Sequence, residues 1–161
     1  MEEIIFAIKK NIRLLLGTTV VIFAVIFLLV LALSKSDSGA KTKVSVNNKT
    51  FSVLVAKSDI EKQIGLSSKD KITEDQGMLF LFDKPDYYSF WMKEMKFPID
   101  IIYIVNDKVT TVISNVKPPS SSVNLPIYQP KEKSDMVLEV NAGLAEKYKI
   151  QKGTTIKIEN L

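Results

Sequence analysis

The hydrophobic pattern divides the chain into one long apolar stretch and a remainder of short alternating runs. From Leu14 to Ser34 no residue is charged. About 20 such residues make a helix that can cross a hydrocarbon core of roughly 30 Å. A helix buried in a protein core would normally keep a polar stripe, which argues against that alternative. The pattern therefore predicts a transmembrane helix over residues 14–34.

After this stretch, the alternation of apolar and polar residues predicts β-strands joined by tight turns. Val44 to Val46 and Phe51 to Val55 flank Asn47-Asn48-Lys49, which indicates a hairpin because Asn tolerates a positive φ. Asn106-Asp107-Lys108 is a second turn of this kind. Six further segments are predicted to be strands: Gly77 to Phe82, Tyr88 to Met92, Ile99 to Val105, Val109 to Val116, Met136 to Val140 and Thr154 to Glu159.

Two short helices are predicted among these strands. Ser58-Asp59-Ile60-Glu61 is a capping box that opens a helix to about Leu66, and a second helix covers Asn141 to Tyr148. Asp83 to Asp86 indicates a turn, and Lys117 to Pro126 is a loop that either borders a binding site or only connects two strands. We expect an α+β, mainly β fold, a compact barrel-like sheet with two short helices, preceded by one transmembrane helix.

The same pattern gives the domain organisation. Residues 1–13 form a short N-terminal tail, residues 14–34 the transmembrane helix, residues 35–43 a small polar linker, and residues 44–161 one soluble domain. A domain of this size can bury a core without disulfides or metals. Because the linker has about nine residues, we expect the domain to stay close to the membrane surface.

Orientation in the membrane depends on the charges that flank the helix. Lys9, Lys10 and Arg13 form a tight cluster before it, whereas the lysines after it are spread along the linker. Basic residues that flank a membrane helix tend to remain on the cytoplasmic side, and long downstream domains are translocated largely regardless of their charge. We therefore predict a single-pass protein of the cell membrane with a cytoplasmic N-terminus and the soluble domain outside. The alternative is a cleaved signal peptide and a secreted domain, since Ala32 and Ser34 suit a cleavage site.

Composition excludes several classes of function. The chain has neither Cys nor His, which excludes disulfides, thiolate zinc sites, cysteine nucleophiles and the Ser-His-Asp triad. The only arginine, Arg13, precedes the predicted membrane helix, so the domain lacks a guanidinium group for bidentate phosphate binding. The formal net charge is +4, but lysines and acidic residues are interspersed, which is typical of a solvated surface. We expect no cofactor and no nucleic-acid partner.

A series of motifs identifies the soluble domain. They are Gly65-Leu66, Gly77-Met78-Leu79-Phe80, Phe90-Trp91-Met92-Lys93, Pro98-Ile99-Asp100 and Val137-Leu138-Glu139-Val140-Asn141-Ala142-Gly143, followed by Ile150 and Gly153. In this order and at this spacing, the series resembles the DUF192 family from about Val44 to Glu159. The resemblance implies a compact, mainly β domain of unknown function, found behind a signal peptide or a membrane anchor, with no established reaction. The chain departs from the family pattern at Ser67-Ser68-Lys69 and at Glu94-Met95, which puts any arginine-dependent role in doubt.

Four residues are candidates for a binding site. In a strand, Trp91 and Lys93 face the same side, so they could line a pocket with an aromatic wall. Asp100, between Ile99 and Ile101, could be a partly buried carboxylate with a raised pKa. Asn141, at the start of the second helix, could place free N–H groups around an anion. In the structural alternative, Trp91 packs in the core, Asp100 ties a turn or pairs with Lys93, and Asn141 only begins the helix.

Asp100 and Glu139 are the weak candidates for catalysis. If their side chains converged on one cleft, two carboxylates could hydrolyse a glycosidic bond or hold a hard cation. That alternative function is a hydrolase or lyase acting on an envelope polymer. A third function is that of a structural partner in a membrane assembly, which would show an exposed apolar patch and no concave pocket.

The preferred hypothesis is a non-enzymatic binding or interaction module outside the cytoplasm. Its partners would be the lipid bilayer, through the N-terminal helix, and an extracytoplasmic ligand or protein that the sequence does not identify. The absence of His, Cys and a domain arginine favours binding over catalysis.

Overall fold

A computed structural model describes residues 41–121 and 123–161, together with the single positions Met1 and Val25. The predicted membrane helix, and nearly all of the predicted tail and linker, therefore lie outside the described residues. Among the residues that are described, no helix combines the length and the apolar character that a membrane crossing requires. Ala40–Leu161 forms one compact unit of the chain.

Strands dominate the described part of the chain. The strands are β1 (Lys43–Val46), β2 (Lys49–Ala56), β3 (Gln76–Asp86), β4 (Phe90–Trp91), β5 (Ile99–Val105), β6 (Lys108–Val116), β7 (Ile127–Tyr128), β8 (Ser134–Asn141) and β9 (Ile156–Glu159). The helices are α1 (Asp59–Ile64), a 3-10 helix (Gly65–Ser68) and α2 (Leu144–Lys147).

Seven strands form one sheet in the order β6-β5-β8-β3-β2-β1-β9, and β4 pairs with β7 in a separate two-stranded ribbon. All neighbours in the large sheet are antiparallel except β2 and β3. The sheet curls so that its two edge regions approach each other. Three backbone hydrogen bonds join them, from Val109 to Thr154, from Gly153 to Val109 and from Ile156 to Asp107. The domain is therefore a mainly β fold with a curled half-barrel sheet and two short α-helices.

The local sequence explains where several elements begin. Asn47 (φ 51°) makes the β1–β2 turn, and Asn106 and Asp107 (φ 50° and 57°) make the β5–β6 turn. The predicted capping box of α1 is confirmed, since the Glu61 N–H donates to Ser58 Oγ and the Ser58 N–H donates to Glu61 Oε2 at 2.8 Å.

Other predicted boundaries are wrong where pairing with distant strands decides them. The expected turn over Asp83 to Asp86 is part of β3, because the strand resumes its pairing after an irregularity and Asp86 pairs with Ser134. The strand expected over Tyr88 to Met92 is reduced to Phe90–Trp91. The second helix is only four residues long.

The large sheet carries apolar residues on both faces. The core on one face includes Ile102, Ile104 and Val140, together with residues of α2. The core on the other face includes Ile101, Tyr103 and Phe80, and is covered by the 3-10 helix and the β4–β7 ribbon. Strand β5 is buried from Ile99 to Ile104, so it supplies both cores with alternate side chains.

Candidate functional site

A cleft of about 390 Å³ opens on the sheet face that carries Phe80. One wall is formed by α1 and the 3-10 helix, and the opposite wall by the segment from Tyr88 to Met95. The side chains of Phe80, Phe82 and Glu139 come from the sheet itself. The cleft volume is within the range of small-molecule sites, which is about 300 to 1,000 Å³.

Aromatic rings form most of the cleft walls that come from β3 and β4. The rings of Phe82 and Tyr88 are stacked, with centroids 3.6 Å apart. Phe90 meets the ring of Phe80 edge to face at 5.0 Å, and the ring of Tyr103 behind it at 5.9 Å. This network fixes the orientation of the rings, so the walls are shaped before any ligand arrives.

Two lysines at the rim lie over aromatic faces. Lys62 Nζ is 4.7 Å from the centre of the Phe82 ring, and Lys93 Nζ is 5.8 Å from the centre of the Trp91 ring. Both distances are within the range of cation–π contacts. Trp91 itself is 48% exposed and pairs across the ribbon with Ile127, so it lies at the cleft and not in a core.

Glu139 is a buried ionisable residue that lines the cleft. Its side chain is only 5% exposed, yet it lines the cleft. Burial raises the pKa of Glu139 to about 8, and among the described residues no hydrogen bond or ion pair offsets the loss of hydration. The Tyr103 phenol donates to the Tyr128 carbonyl at 3.1 Å. Burial, and to a smaller extent the nearby Glu139 charge, raise the pKa of this phenol.

The backbone at Glu139 lies close to Gly77 of the neighbouring strand. A Cβ at residue 77 would lie 2.6 Å from the Glu139 carbonyl oxygen, closer than real Cβ contacts allow. A glycine at this position lets β3 and β8 approach at the floor of the cleft. The close approach thus explains why the first residue of the Gly77-Met78-Leu79-Phe80 motif is a glycine.

Asp100 is not part of this cleft. It is fully buried on the opposite face of the sheet, where Oδ1 accepts the Asn115 N–H at 2.7 Å and Oδ2 accepts the Ala145 N–H at 2.8 Å. Asn115 has a φ of 55°, so the carboxylate stabilises a left-handed residue near the end of β6 and the first turn of α2. These contacts fit the structural alternative in which Asp100 ties a turn.

The catalytic pairing of Asp100 with Glu139 is not formed. Asp100 is opposite Val140 and Glu139 is opposite Ile101 in the β5–β8 ladder. Directly opposed residues share a face and successive residues alternate, so the two carboxyl groups lie on different faces of the sheet. They share no cleft and cannot act as a pair on one bond or one cation.

Asn141 also lies away from the cleft, and its side-chain nitrogen donates to the Ile72 carbonyl at 3.0 Å. The helix behind it is capped by Gly143, and the Ala145 N–H already binds the Asp100 carboxylate. The N–H group of the helix N-terminus that was expected to bind an external anion therefore binds the Asp100 carboxylate of the same chain. Within residues 41–121 and 123–161, no group of three acidic side chains is close enough to hold a metal ion.

Sequence reasoning found Trp91, Lys93 and Glu139, and the structure places all three at the cleft. It missed Lys62 and Phe82, which complete the site. The capping box predicted α1 but gave no indication that its Lys62 side chain reaches the ring of Phe82 in β3. Gly65, with a φ of 52° and a potential Cβ only 3.4 Å from the Phe80 ring, marks the place where the chain turns along the wall.

Solved structures similar to this chain have the same fold. One is a protein of unknown function from Novosphingobium aromaticivorans DSM 12444, which is 27% identical, with a TM-score of 0.64 and coverage of 73% of this chain and 83% of that chain. Another is a protein from Sinorhizobium meliloti 1021, described as "a putative transcription regulator". It is 25% identical, with a TM-score of 0.66 and coverage of 75% of this chain and 94% of that chain.

No curated protein matches the chain. The family model of DUF192, described as an uncharacterized ACR, matches residues 41–158. The matched segment is most of the chain, includes both strands that form the cleft floor, and contains Trp91, Lys93 and Glu139. This chain therefore belongs to the DUF192 family.

Proposed function

We propose that this protein is a non-enzymatic binding module that holds a small ligand in the cleft between α1 and the segment from Tyr88 to Met95, which contains β4 and is called the β4 segment below. The single observation that carries the proposal is the buried Glu139 carboxyl on the floor of an aromatic-walled cleft. Small-molecule sites combine apolar walls with converging polar groups. In this cleft, the aromatic walls are accompanied by Glu139 and by charged and polar side chains of α1 and of the segment from Tyr88 to Met95. Trp91 and Lys93 are the ligand-contacting residues at the rim.

We propose further that the module is anchored outside the cytoplasm by the helix over residues 14–34. The uncharged apolar stretch and the basic cluster before it support this location. The ligand would then be captured near the membrane surface, or released with the domain if the signal is cleaved.

The other two functions have less support. A hydrolase that uses Asp100 and Glu139 as its two carboxylates is not supported, because Asp100 lies on the other face of the sheet. A purely structural partner would not need a concave site with a buried carboxyl. Surface lysines pair with acidic neighbours, as Lys96 does with Asp70 and Lys147 with Glu74. This interspersed charge favours neither a protein-docking patch nor a nucleic-acid surface.

The test of this function is small-molecule capture. The purified full-length chain is dialysed against a metabolite extract of the cells that express it, and enriched compounds are identified by mass spectrometry. We expect Trp91→Ala to lower the enrichment about tenfold, since one aromatic contact surface is lost. Ile127→Ala is the matched control, because Ile127 is the exposed partner of Trp91 in the ribbon but does not line the cleft.

Equal enrichment by the wild type and by Trp91→Ala, in protein that circular dichroism shows to be folded, would remove the cleft from consideration. Absence of any enriched compound would count against a small-molecule ligand.

A further inference from the structure

The chemical class of the ligand follows from an imbalance of charge within the cleft. This inference rests on the proposed function, that the cleft binds a ligand. Glu139 is 5% exposed, and no partner for its carboxyl is found among the described residues. A buried ionised carboxylate without a partner is strongly disfavoured, because it loses its hydration and gains nothing in return. A ligand that brings a positive charge to Glu139 offsets this loss most fully, a neutral hydrogen-bond donor offsets only part of it, and an anionic group adds to it.

The walls around Glu139 are suited to the same kind of group. The rings of Phe82 and Trp91 receive the ammonium groups of Lys62 and Lys93, so aromatic rings of this site stabilise cations. Phe82 is covered by Tyr88 on its other face, which leaves Trp91, Phe80 and Phe90 as the rings for a ligand. Aromatic rings stabilise ammonium ions, including quaternary ones that cannot donate hydrogen bonds. Carboxylate and rings together therefore recognise a compact organic cation better than a neutral polar molecule.

The rim sets a second requirement. Lys62 and Lys93 line the cleft from α1 and from the segment from Tyr88 to Met95. Two exposed acids accompany them, Asp59 in the lining and Glu94, whose carboxylate is 3.9 Å from Lys93 Nζ. A ligand with further positive charge at this level would be repelled, while an acidic group would be attracted.

We propose that the cleft binds a small organic ammonium compound, with its cationic head among the aromatic rings against Glu139 and a neutral or anionic remainder at the rim beside Lys62 and Lys93. Compounds that carry both an ammonium head and an anionic phosphate, such as phosphocholine, satisfy both requirements. The same chemistry occurs in a free metabolite and in a phospholipid headgroup.

Binding of such a cation is coupled to release of a proton from Glu139. The raised pKa, about 8, means that the carboxyl is mostly neutral near pH 6.5 and mostly ionised at pH 8.5. Other titratable groups that face the cleft are Asp59 and Lys62 from α1, Lys93 from the β4 segment, Tyr88 after β3 and Tyr103 from β5. The phenols of Tyr88 and Tyr103 both have raised pKa values and stay protonated over this range.

Trp91 makes the test specific to the cleft, because it is the only tryptophan of the chain. The purified full-length protein, in a polyoxyethylene detergent that carries neither ammonium nor sugar, is titrated with phosphocholine, choline and N-acetylglucosamine while Trp91 emission is recorded. We expect saturable changes with the two ammonium probes, tighter binding of phosphocholine than of choline, and none with the neutral sugar. Affinity for both ammonium probes should rise about tenfold or more from pH 6.5 to 8.5.

Glu139→Gln should weaken phosphocholine binding on the order of a hundredfold and abolish its pH dependence. Glu146→Gln, at an exposed position on α2 outside the cleft, is the matched control and should bind as the wild type does. The pH dependence of the wild type is a second criterion that does not depend on the folding of any variant.

Two results would overturn the inference. If N-acetylglucosamine binds and the ammonium probes do not, the cleft is a binding site for neutral ligands, and the proposed function stands without this ligand class. If no probe changes Trp91 emission at tens of millimolar, the ammonium assignment is wrong, while the dialysis experiment still decides the proposed function. With the chain in vesicles, a Trp91 shift in phosphatidylcholine but not in phosphatidylglycerol would identify a lipid headgroup. Equal emission in both lipids, with a response to free phosphocholine, would identify a soluble ligand.

Discussion

At the scale of single residues, Asp100 and Glu139 show how two buried carboxylates can have opposite roles. Asp100 accepts two backbone N–H groups, so its charge is matched and it holds β6 and α2 in place. Glu139 has no such partner among the described residues and lies against a cleft. A buried carboxylate that accepts hydrogen bonds inside the fold serves the structure, whereas one without such partners at a cleft is a candidate for function.

The unmatched carboxyl predicts how stability depends on pH. The pKa of Glu139 is about 8 in the native state, against an ordinary value of 4.5. The native state therefore keeps a proton that the unfolded chain releases. The resulting stabilisation is complete below about pH 4.5 and is lost as the pH rises through 8, at about 1.4 kcal/mol per pH unit.

We expect the free energy of unfolding of the wild type to fall by on the order of 3 kcal/mol, relative to Glu139→Gln, between pH 5 and 8. Urea unfolding across this range measures it, with Glu146→Gln as the control that should parallel the wild type. Exposed acids with lowered pKa values, such as Glu61 and Asp70, change protonation below this window. Parallel curves for the wild type and Glu139→Gln would show that the carboxyl is not buried.

At the scale of elements, the two strands beneath the cleft, β3 and β8, approach each other closely at Gly77. Their register places Gly77 opposite Val140 and Met78 opposite Glu139. Because residue 77 has no side chain, β3 and β8 can lie this close together; an added Cβ would meet the Glu139 carbonyl oxygen at 2.6 Å. A backbone atom cannot swing away as a side chain can, so the strands themselves would have to move.

We therefore predict that Gly77→Ala lowers the free energy of unfolding by about 2 kcal/mol or more, the usual cost of overpacking. Urea unfolding at pH 5, where Glu139 is protonated, isolates this steric effect from the charge. Lys84→Ala, at an exposed position of the same strand, is the control and should stay within about 0.5 kcal/mol of the wild type. Unchanged stability of Gly77→Ala would mean that the strands can separate without cost.

At the scale of the whole molecule, the location of the domain decides which ligands it can meet. The predicted span over residues 14–34 and the linker of about nine residues would hold the cleft near the outer surface of the membrane. Because a headgroup-like ligand would be abundant there, the location and the inferred ligand class are mutually consistent, although each rests on separate observations.

The location has its own test. We expect the full-length chain to stay in the membrane pellet after alkaline carbonate extraction, and protease added outside intact cells to digest the domain. Deletion of residues 14–34 should release the chain from the pellet. A mature N-terminus just after Ser34 would establish signal cleavage, and a domain protected from external protease would contradict the exterior location.

The sequence by itself determined the local elements and the family. Tight turns at Asn47 and Asn106, and the capping box at Ser58, depend on contacts within a few residues, so the pattern of residue types was sufficient to predict them. The ordered motifs from Gly65 to Gly153 identified the DUF192 domain. Strand alternation does not explain the contact between Lys93 and Trp91, because β4 ends at Trp91 and Lys93 lies in the turn that follows.

Only the tertiary structure decided which buried acid faces the cleft. Strand β5 is buried on both faces, so its apolar run has no polar side that could distinguish the surroundings of Asp100 from those of Ile101. The partners of Asp100 are 15 and 45 residues away along the chain. Likewise, the cleft is lined both by α1 and by the segment from Tyr88 to Met95, which are separated along the chain by β3. Contacts of this range are set by how the sheet curls, and no local pattern of residues encodes them.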